Sequence, residues 1–357
     1  MKWSFKLIRV AGIDVYVHAT FIILLLWIGL SYWLIEGALG AVLSGVGFII
    51  VLFTCVVLHE FGHALTARRY GIRTLHITLF PIGGLAAVER MPEVPKHEIN
   101  VALAGPAVNL FIAFFLWFWL SVTNTMVSAE ELTLTGGPFA QRWMLINIIL
   151  AVFNLIPAFP MDGGRILRAV LAIRMNHNKA TQLAARVGQG FALWLGLMGL
   201  LFNPFLMFIA LFVWIGAASE AAVEEVKSTL LGISAGQAML TNFEVLSPHD
   251  RLHQAIQLTL AGSQKDFPVL DGKDVVGVLT QTDLLRGLHE HGDQESVGNW
   301  MQTDVQCAEN NEPLEEVLER LQKSQCRLFT VMEAGQLAGI LNMDNVVELL
   351  SIQKALH

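Results

Sequence analysis

Apolar residues dominate six separate runs before residue 222, at 19–35, 39–64, 99–120, 143–158, 187–202 and 205–218. Each approaches the roughly 20 residues that carry a helix across a bilayer. The first begins near Val17 with no small-residue cleavage site after it, and reads as a retained span rather than a signal peptide. Two shorter stretches alternate instead, with the period of a strand. Gly12 to His18 is one of them. His18 enters the first span there, either near a site or simply at a helix end. Leu75 to Glu89 is the other, broken at its centre by Pro81-Ile82-Gly83-Gly84. It is too short to span and reads as a hairpin dipping into the membrane. Bare strand edges cannot face lipid, so protein must cover it or it must line a watery cavity.

After Glu220 the pattern turns soluble and repeats itself. Gly236, Met239, Thr241, Leu252, Phe267, Val269, Gly277 and Leu279 recur 62 positions later as Gly298, Met301, Thr303, Leu314, Phe329, Val331, Gly339 and Leu341. Each copy reads as helix, strand, turn, strand and helix, which predicts two packed modules in one pseudo-symmetric domain. The expected division is a membrane domain over 1–222, a linker over 223–234, and modules over 235–290 and 291–357.

Composition sharpens this picture. The chain of 357 residues is 54% hydrophobic and 15% charged, against about 25% charged in soluble domains. A net charge of -7 argues against a nucleic-acid partner. Cys55, Cys307 and Cys326 lack the paired spacing of a disulfide framework or a thiolate metal site. Cys55 lies one turn before His59 and reads best as a small hydrophobe. Six spans place both termini on one side. Loops on that side hold Lys2, Lys6, Arg9, Arg68, Arg69, Arg73, Arg90, Lys96, Arg165, Arg168, Arg174, Lys179, Arg186 and Lys227, and the opposite loops hold Arg142 alone. By the positive-inside rule the termini are cytoplasmic.

The chemistry sits at the end of the second run, in Cys55-Val56-Val57-Leu58-His59-Glu60-Phe61-Gly62-His63-Ala64. On a helix, His59 and His63 stack on one face and can offer imidazole nitrogens to one zinc ion. Glu60 stands beside them, where it can take a proton from a water. Three ionisable groups within five residues of an apolar helix are costly, and such groups are usually functional. A catalytic site needs a third protein ligand. Asp162, in Asn154-Leu155-Ile156-Pro157-Ala158-Phe159-Pro160-Met161-Asp162-Gly163-Gly164, falls at the same predicted depth. It reads either as that ligand or as an ordinary turn and helix cap.

His59-Glu60-Phe61-Gly62-His63, together with Asn154-x-x-Pro157 and Asp162-Gly163, resembles the site-2 protease family of intramembrane zinc metalloproteases. The likeness is to the bacterial branch that carries cystathionine-β-synthase (CBS) domains, related to the sporulation-factor proteases. Gly105-Pro106-Ala107-Val108-Asn109 also matches a family motif, and the segment 80–89 resembles the family's membrane-reentrant hairpin. The resemblance implies a polytopic α-helical membrane protein with six spans, a reentrant β-hairpin and a cytoplasmic α/β CBS pair. It implies one zinc ion held by His59, His63 and Asp162, with Glu60 as catalytic acid and base. Asn154 and Asn109 would hold the substrate or shape the site; the alternative for both is interhelical hydrogen bonding. The implied partners are the lipid bilayer of the bacterial inner membrane, a membrane-protein substrate with a transmembrane segment, and a second copy of the chain through the CBS pair. Asp271 to Leu285 resembles the second half of a CBS motif. Thr280 and Asp283 match the positions that hold the phosphate and ribose of an ATP- or AMP-type nucleotide, whereas the second copy has Asn342 and Asn345 there. A module without ligand is the alternative. A CBS-gated transporter and an inactive membrane scaffold are the competing classes.

Overall fold

The computed structural model describes residues 3–81, 83–89, 92, 94–127, 138–323 and 328–356. Lys2, Arg90 and Cys326 lie outside the described residues. The chain divides into two compact units, Met1–Ala222 and Val223–His357.

The first unit begins with a strand the hydrophobic pattern did not announce. β1 (Ser4–Val10) pairs antiparallel with β2 (Ile13–His18), the turn between them using positive φ at Ala11 and Gly12. Helices α1 (Ala19–Glu36) and α2 (Leu39–Arg69) follow. The chain then returns as β3 (Thr74–Phe80), parallel to β2, and β4 (Gly83–Val88), antiparallel to β3. The sheet order is therefore β1-β2-β3-β4. Ile13, Val15 and Ile77 press one sheet face onto Phe61 and Ala64 of α2. This fixes the sheet against the turn of α2 that carries the histidines.

α3 (Pro95–Thr123), α4 (Phe139–Asn154), α5 (Asp162–Ala172), α6 (His177–Leu201) and α7 (Phe205–Leu230) complete the unit. Among the described residues five helices, α1, α2, α3, α6 and α7, are long and apolar enough to cross a membrane. Their outward residues are apolar too: Leu26, Trp27, Phe111, Phe114, Phe115, Trp119, Leu200 and Phe208 are all exposed. Large apolar side chains exposed along membrane-length helices fit a surface that meets lipid rather than water. The fourth expected span is displaced. Its helix starts four residues earlier than expected and stops at Asn154, because the prolines at 157 and 160 cannot continue it. The stretch expected as a linker is helical as far as Leu230, so the boundary between the units falls inside α7. Buried Arg168 on α5 donates to Glu98 on α3 and Glu220 on α7, each at 2.7 Å, and so holds three helices together.

In the second unit α8 (Ala235–Ala238), α9 (Leu252–Ala261), β5 (Phe267–Asp271), β6 (Asp274–Leu279) and α10 (Gln281–His291) form one module. β7 (Gln306–Glu309), α11 (Leu314–Lys323), β8 (Leu328–Glu333), β9 (Gln336–Asn342) and α12 (Met343–Leu356) form the other. The 62-residue repeat reappears as geometry. Leu240 bridges Ile340, and their counterparts Gln302 and Val278 bridge each other. A Cβ on Gly277 would meet Met301 Sδ at 2.6 Å, and Met239 lies correspondingly against Gly339. Each module thus lends its leading segment to the other's hairpin.

Close helix contact in the first unit depends on particular glycines. A Cβ on Gly62 would sit 2.7 Å from the Ala104 carbonyl oxygen of α3, whereas one on Gly47, on the same helix, would meet nothing within 4 Å. Gly62→Val should lower stability by about 1–3 kcal/mol through overpacking, and Gly47→Val should cost far less. Thermal unfolding of the two variants in detergent micelles checks this; equal melting temperatures would mean that α2 and α3 are not in contact at Gly62.

Candidate metal centre

The last turns of α2 present His59 and His63 inward, both buried. The broken segment after α4 ends at Met161, and Asp162 opens α5. The three groups converge. His59 Nε2 and His63 Nε2 are 3.0 Å apart, and Asp162 Oδ2 is 3.1 Å from each. Among the described residues this is the one cluster of three or more such side chains that could hold a metal ion.

The hydrogen bonds around the imidazoles decide their tautomers. His63 Nδ1 lies 2.7 Å from the Val101 carbonyl oxygen, which can only accept, so the nitrogen donates. His59 Nδ1 lies 2.6 Å from Asn109 Oδ1, while Asn109 Nδ2 donates to Asn147 Oδ1 at 2.9 Å. The Asn109 oxygen is therefore the acceptor for His59. With each ring neutral, Nδ1 carries the proton and Nε2 a lone pair. Two lone pairs and a carboxylate oxygen then point at one spot with no hydrogen between them. A metal cation accepts all three at once. Zinc bonds of about 2.0–2.1 Å to nitrogen and oxygen put tetrahedral ligand atoms about 3.3 Å apart, so this triangle needs to open by only a few tenths of an ångström. The residues fit zinc, and they leave its fourth position free.

The site is built by close backbone approach. A Cβ on Gly105 would overlap His63 Nε2 and lie 2.6 Å from His59 Nε2, so α3 can pass the ligand atoms only as glycine. Gly163 and Gly164 are equally confined, a Cβ on Gly164 falling 2.6 Å from Phe159 N. This packing folds the 155–161 segment tightly back on α5 and delivers Asp162 to the histidines. Glu60 lies under the sheet edge: a Cβ on Gly84 of β4 would be 3.0 Å from Glu60 Cγ. Its carboxylate makes no hydrogen bond to any described residue.

The other expected residues divide. Asn109 joins the site, but against the back of His59. Asn154 makes no hydrogen bond to the triad; its amide donates to Leu150 O at 3.0 Å within its own helix. His18 caps α1, accepting from Thr20 N, and packs against Phe80. Cys55 is fully buried and accepts from Trp143 Nε1 and Asn147 Nδ2. Asn147 is the residue that sequence reasoning missed. An amide inside an apolar run was the available signal. In the second unit Thr280 caps α10 and donates to Asp283 Oδ2 at 2.6 Å, which also accepts from Gln302. Asn342 and Asn345 instead satisfy each other's backbone N–H groups.

A helix-borne pair of histidines completed by a distant aspartate defines a metallohydrolase centre, and here it lies among helices that face lipid. Residues 47–135 and 126–195 match the signature of Peptidase family M50, and residues 235–290 and 297–352 match the CBS domain. A zinc metalloprotease of Methanocaldococcus jannaschii is 34% identical over 99% of this chain and 97% of its own length. A putative zinc metalloprotease of Synechocystis is 30% identical over 96% and 94%. The solved site-2 protease from M. jannaschii is 37% identical over 61% of this chain and 95% of its own, with a TM-score of 0.46. The chain belongs to the M50 (site-2 protease) family of zinc metalloproteases and carries a CBS pair.

Purified protein should hold about one zinc per chain, and His59→Ala, His63→Ala or Asp162→Ala should each strip most of it. Asn109→Ala leaves all three ligands but frees the His59 ring, and should weaken zinc binding about 10–100-fold. Chelator competition followed by atomic emission checks both. Undiminished affinity in Asn109→Ala would mean that the ring needs no such support.

Proposed function

We propose that this metalloprotease cleaves a peptide bond in or near a transmembrane segment of a membrane-protein substrate. The observation that carries the reading is the setting of the His59–His63–Asp162 cluster, inside a unit whose helices expose apolar side chains on their outer surface. Zinc, when bound there, supplies acidity to a water and positive charge for the oxyanion of the scissile carbonyl. Glu60 takes the proton of the attacking water and gives it to the leaving amine. Its carboxylate has no competing hydrogen bond among the described residues, and the backbone of β4 lies directly above it. β4 is an outer strand of the sheet, so its free edge can pair with an extended substrate segment. A helix must unwind to be cut, and an added strand gives its backbone groups new partners. Asn154, at the end of α4, is assigned to the substrate path rather than to the metal.

In this reading the shorter helix α4 joins the five long ones as a sixth span, and the β3–β4 hairpin enters the membrane from the cytoplasmic side. The basic residues at the end of α2, Arg68 and Arg69, support a cytoplasmic position for that end, in the inner membrane of a bacterial cell. Reporter fusions after residue 230 should then score cytoplasmic, and fusions near residue 127 external. The reverse pattern overturns the orientation.

The CBS pair is assigned a regulatory adenine-nucleotide site centred on Thr280 and Asp283, one per chain, and a role in pairing two chains. The second copy offers two carboxamides that already satisfy local backbone, which leaves it poorer in acceptors. Titration calorimetry on the full chain should show one ATP- or AMP-type nucleotide bound, with binding lost in Asp283→Ala while basal cleavage persists. Heat changes identical in the two proteins remove the site.

Glu60→Gln is the direct test of the chemistry. It should keep zinc and fold, and lose about 10²–10⁴-fold in cleavage rate. Near-normal turnover would refute the acid–base role.

A further inference from the structure

We infer that β1 is a lipid-bedding strand: its apolar face rests in the headgroup–acyl boundary of the bilayer and sets the height of the sheet that covers Glu60. Directly paired residues of neighbouring strands project to the same face. Phe5, Ile8 and Val10 pair with Val17, Val15 and Ile13, and Val15 and Val17 pair with Ile77 and Leu79 of β3. Ile13, Val15, Ile77 and Leu79 are buried on that face against α2 and α1. Phe5, Ile8 and Val10 continue the same face outward, yet they are 60%, 53% and 42% exposed. The irregularity at Leu7 preserves the arrangement, since without it Ile8 would turn to the other side. The opposite face carries charge: Lys6 and Arg9 pair with Asp14 at 2.7 and 3.5 Å. The strand is therefore amphipathic, with its apolar side directed where the helices are.

Its level is fixed by two bonds. Ala19 N, the first residue of α1, donates to Trp3 O at 2.9 Å, and Arg68 in the last turn of α2 donates to Ala11 O at 3.0 Å. β1 thus stands at the ends of two membrane-length helices, where exposed Trp3 and basic side chains match a membrane–water interface. β1 and β4 are the two outer strands of one sheet, so seating β1 in lipid fixes the height of the β4 backbone over Glu60. The seating of β1 in lipid needs only the membrane character of the unit and is read by quenching apart from any cleavage; its effect on KM rests on the proposed cleavage.

The test uses the full chain with Cys307→Ser and Cys326→Ser, leaving Cys55 buried, reconstituted in phosphatidylglycerol-containing nanodiscs. A bimane fluorophore is attached at Ile8→Cys or, for comparison, at Lys6→Cys. Brominated acyl chains should quench position 8 several-fold more strongly than position 6, and aqueous iodide should do the reverse. Equal iodide quenching at both positions would place β1 in water and overturn the inference. Protection of position 8 from both quenchers would mean that protein covers the face, and would overturn it equally. In a second arm, Phe5→Ser with Ile8→Ser should retain zinc and raise KM for a bilayer-embedded substrate with little change in kcat. An unchanged KM would sever β1 from substrate engagement even where the quenching result holds.

Discussion

Each neutral imidazole at the centre of this molecule offers one nitrogen's lone pair to a metal and keeps an N–H on the other, and that N–H needs an acceptor. Both rings are buried, so those acceptors come from the protein. α3 supplies both acceptors, the Asn109 amide oxygen and the Val101 carbonyl. Everything else follows from bringing α3 close enough to do so. Gly62 lets the Ala104 carbonyl approach α2, and Gly105 leaves room for both Nε2 atoms. The Asn109–Asn147 bond then fixes which way the Asn109 amide faces, and Asn147 is itself held by the Trp143 carbonyl and Cys55. A chain of buried polar groups thus runs from α4 to the metal ligand, and each described link has its partner. In a low-dielectric interior such a network is rigid when complete and expensive when broken.

The third ligand arrives by a different device. Asp162 belongs to a segment that proline prevents from being helical and glycine allows to fold tightly onto itself. α5, which it opens, is anchored by Arg168 between Glu98 and Glu220. Removing either carboxylate or the guanidinium would leave uncompensated charge among packed helices. The aspartate therefore sits on an element pinned from three sides, although it lies 99 positions from His63 in the chain.

Much of the site was legible because its chemistry has a short period. His59 and His63 are one helical turn apart, and Asp162-Gly163 stands out just after Pro157 and Pro160. Five of the six expected spans were legible through unbroken apolar length, and the CBS modules through a repeat that survives as reciprocal contacts. What sequence could not show was long-range pairing. β1 reads as a short basic start because its apolar residues are interrupted by Lys6 and Arg9 and shifted by a bulge. Asn109 read as holding the substrate, shaping the site or bonding between helices, since nothing in a linear pattern reveals which face of α3 meets His59. Asn154 has the opposite fate, bonding within its own helix. The end of α4 was misplaced because apolar residues continue past the point where Pro157 and Pro160 forbid helix.

The central claim is that two imidazoles and one carboxylate, oriented from behind, form the metal centre. Zinc K-edge X-ray absorption on the full-length protein tests it most directly. The account predicts a shell of nitrogen and oxygen only, at about 2.0–2.1 Å, with the outer-shell scattering of two imidazoles. A sulfur neighbour at about 2.3 Å would place Cys55 in the ligand set and contradict the account.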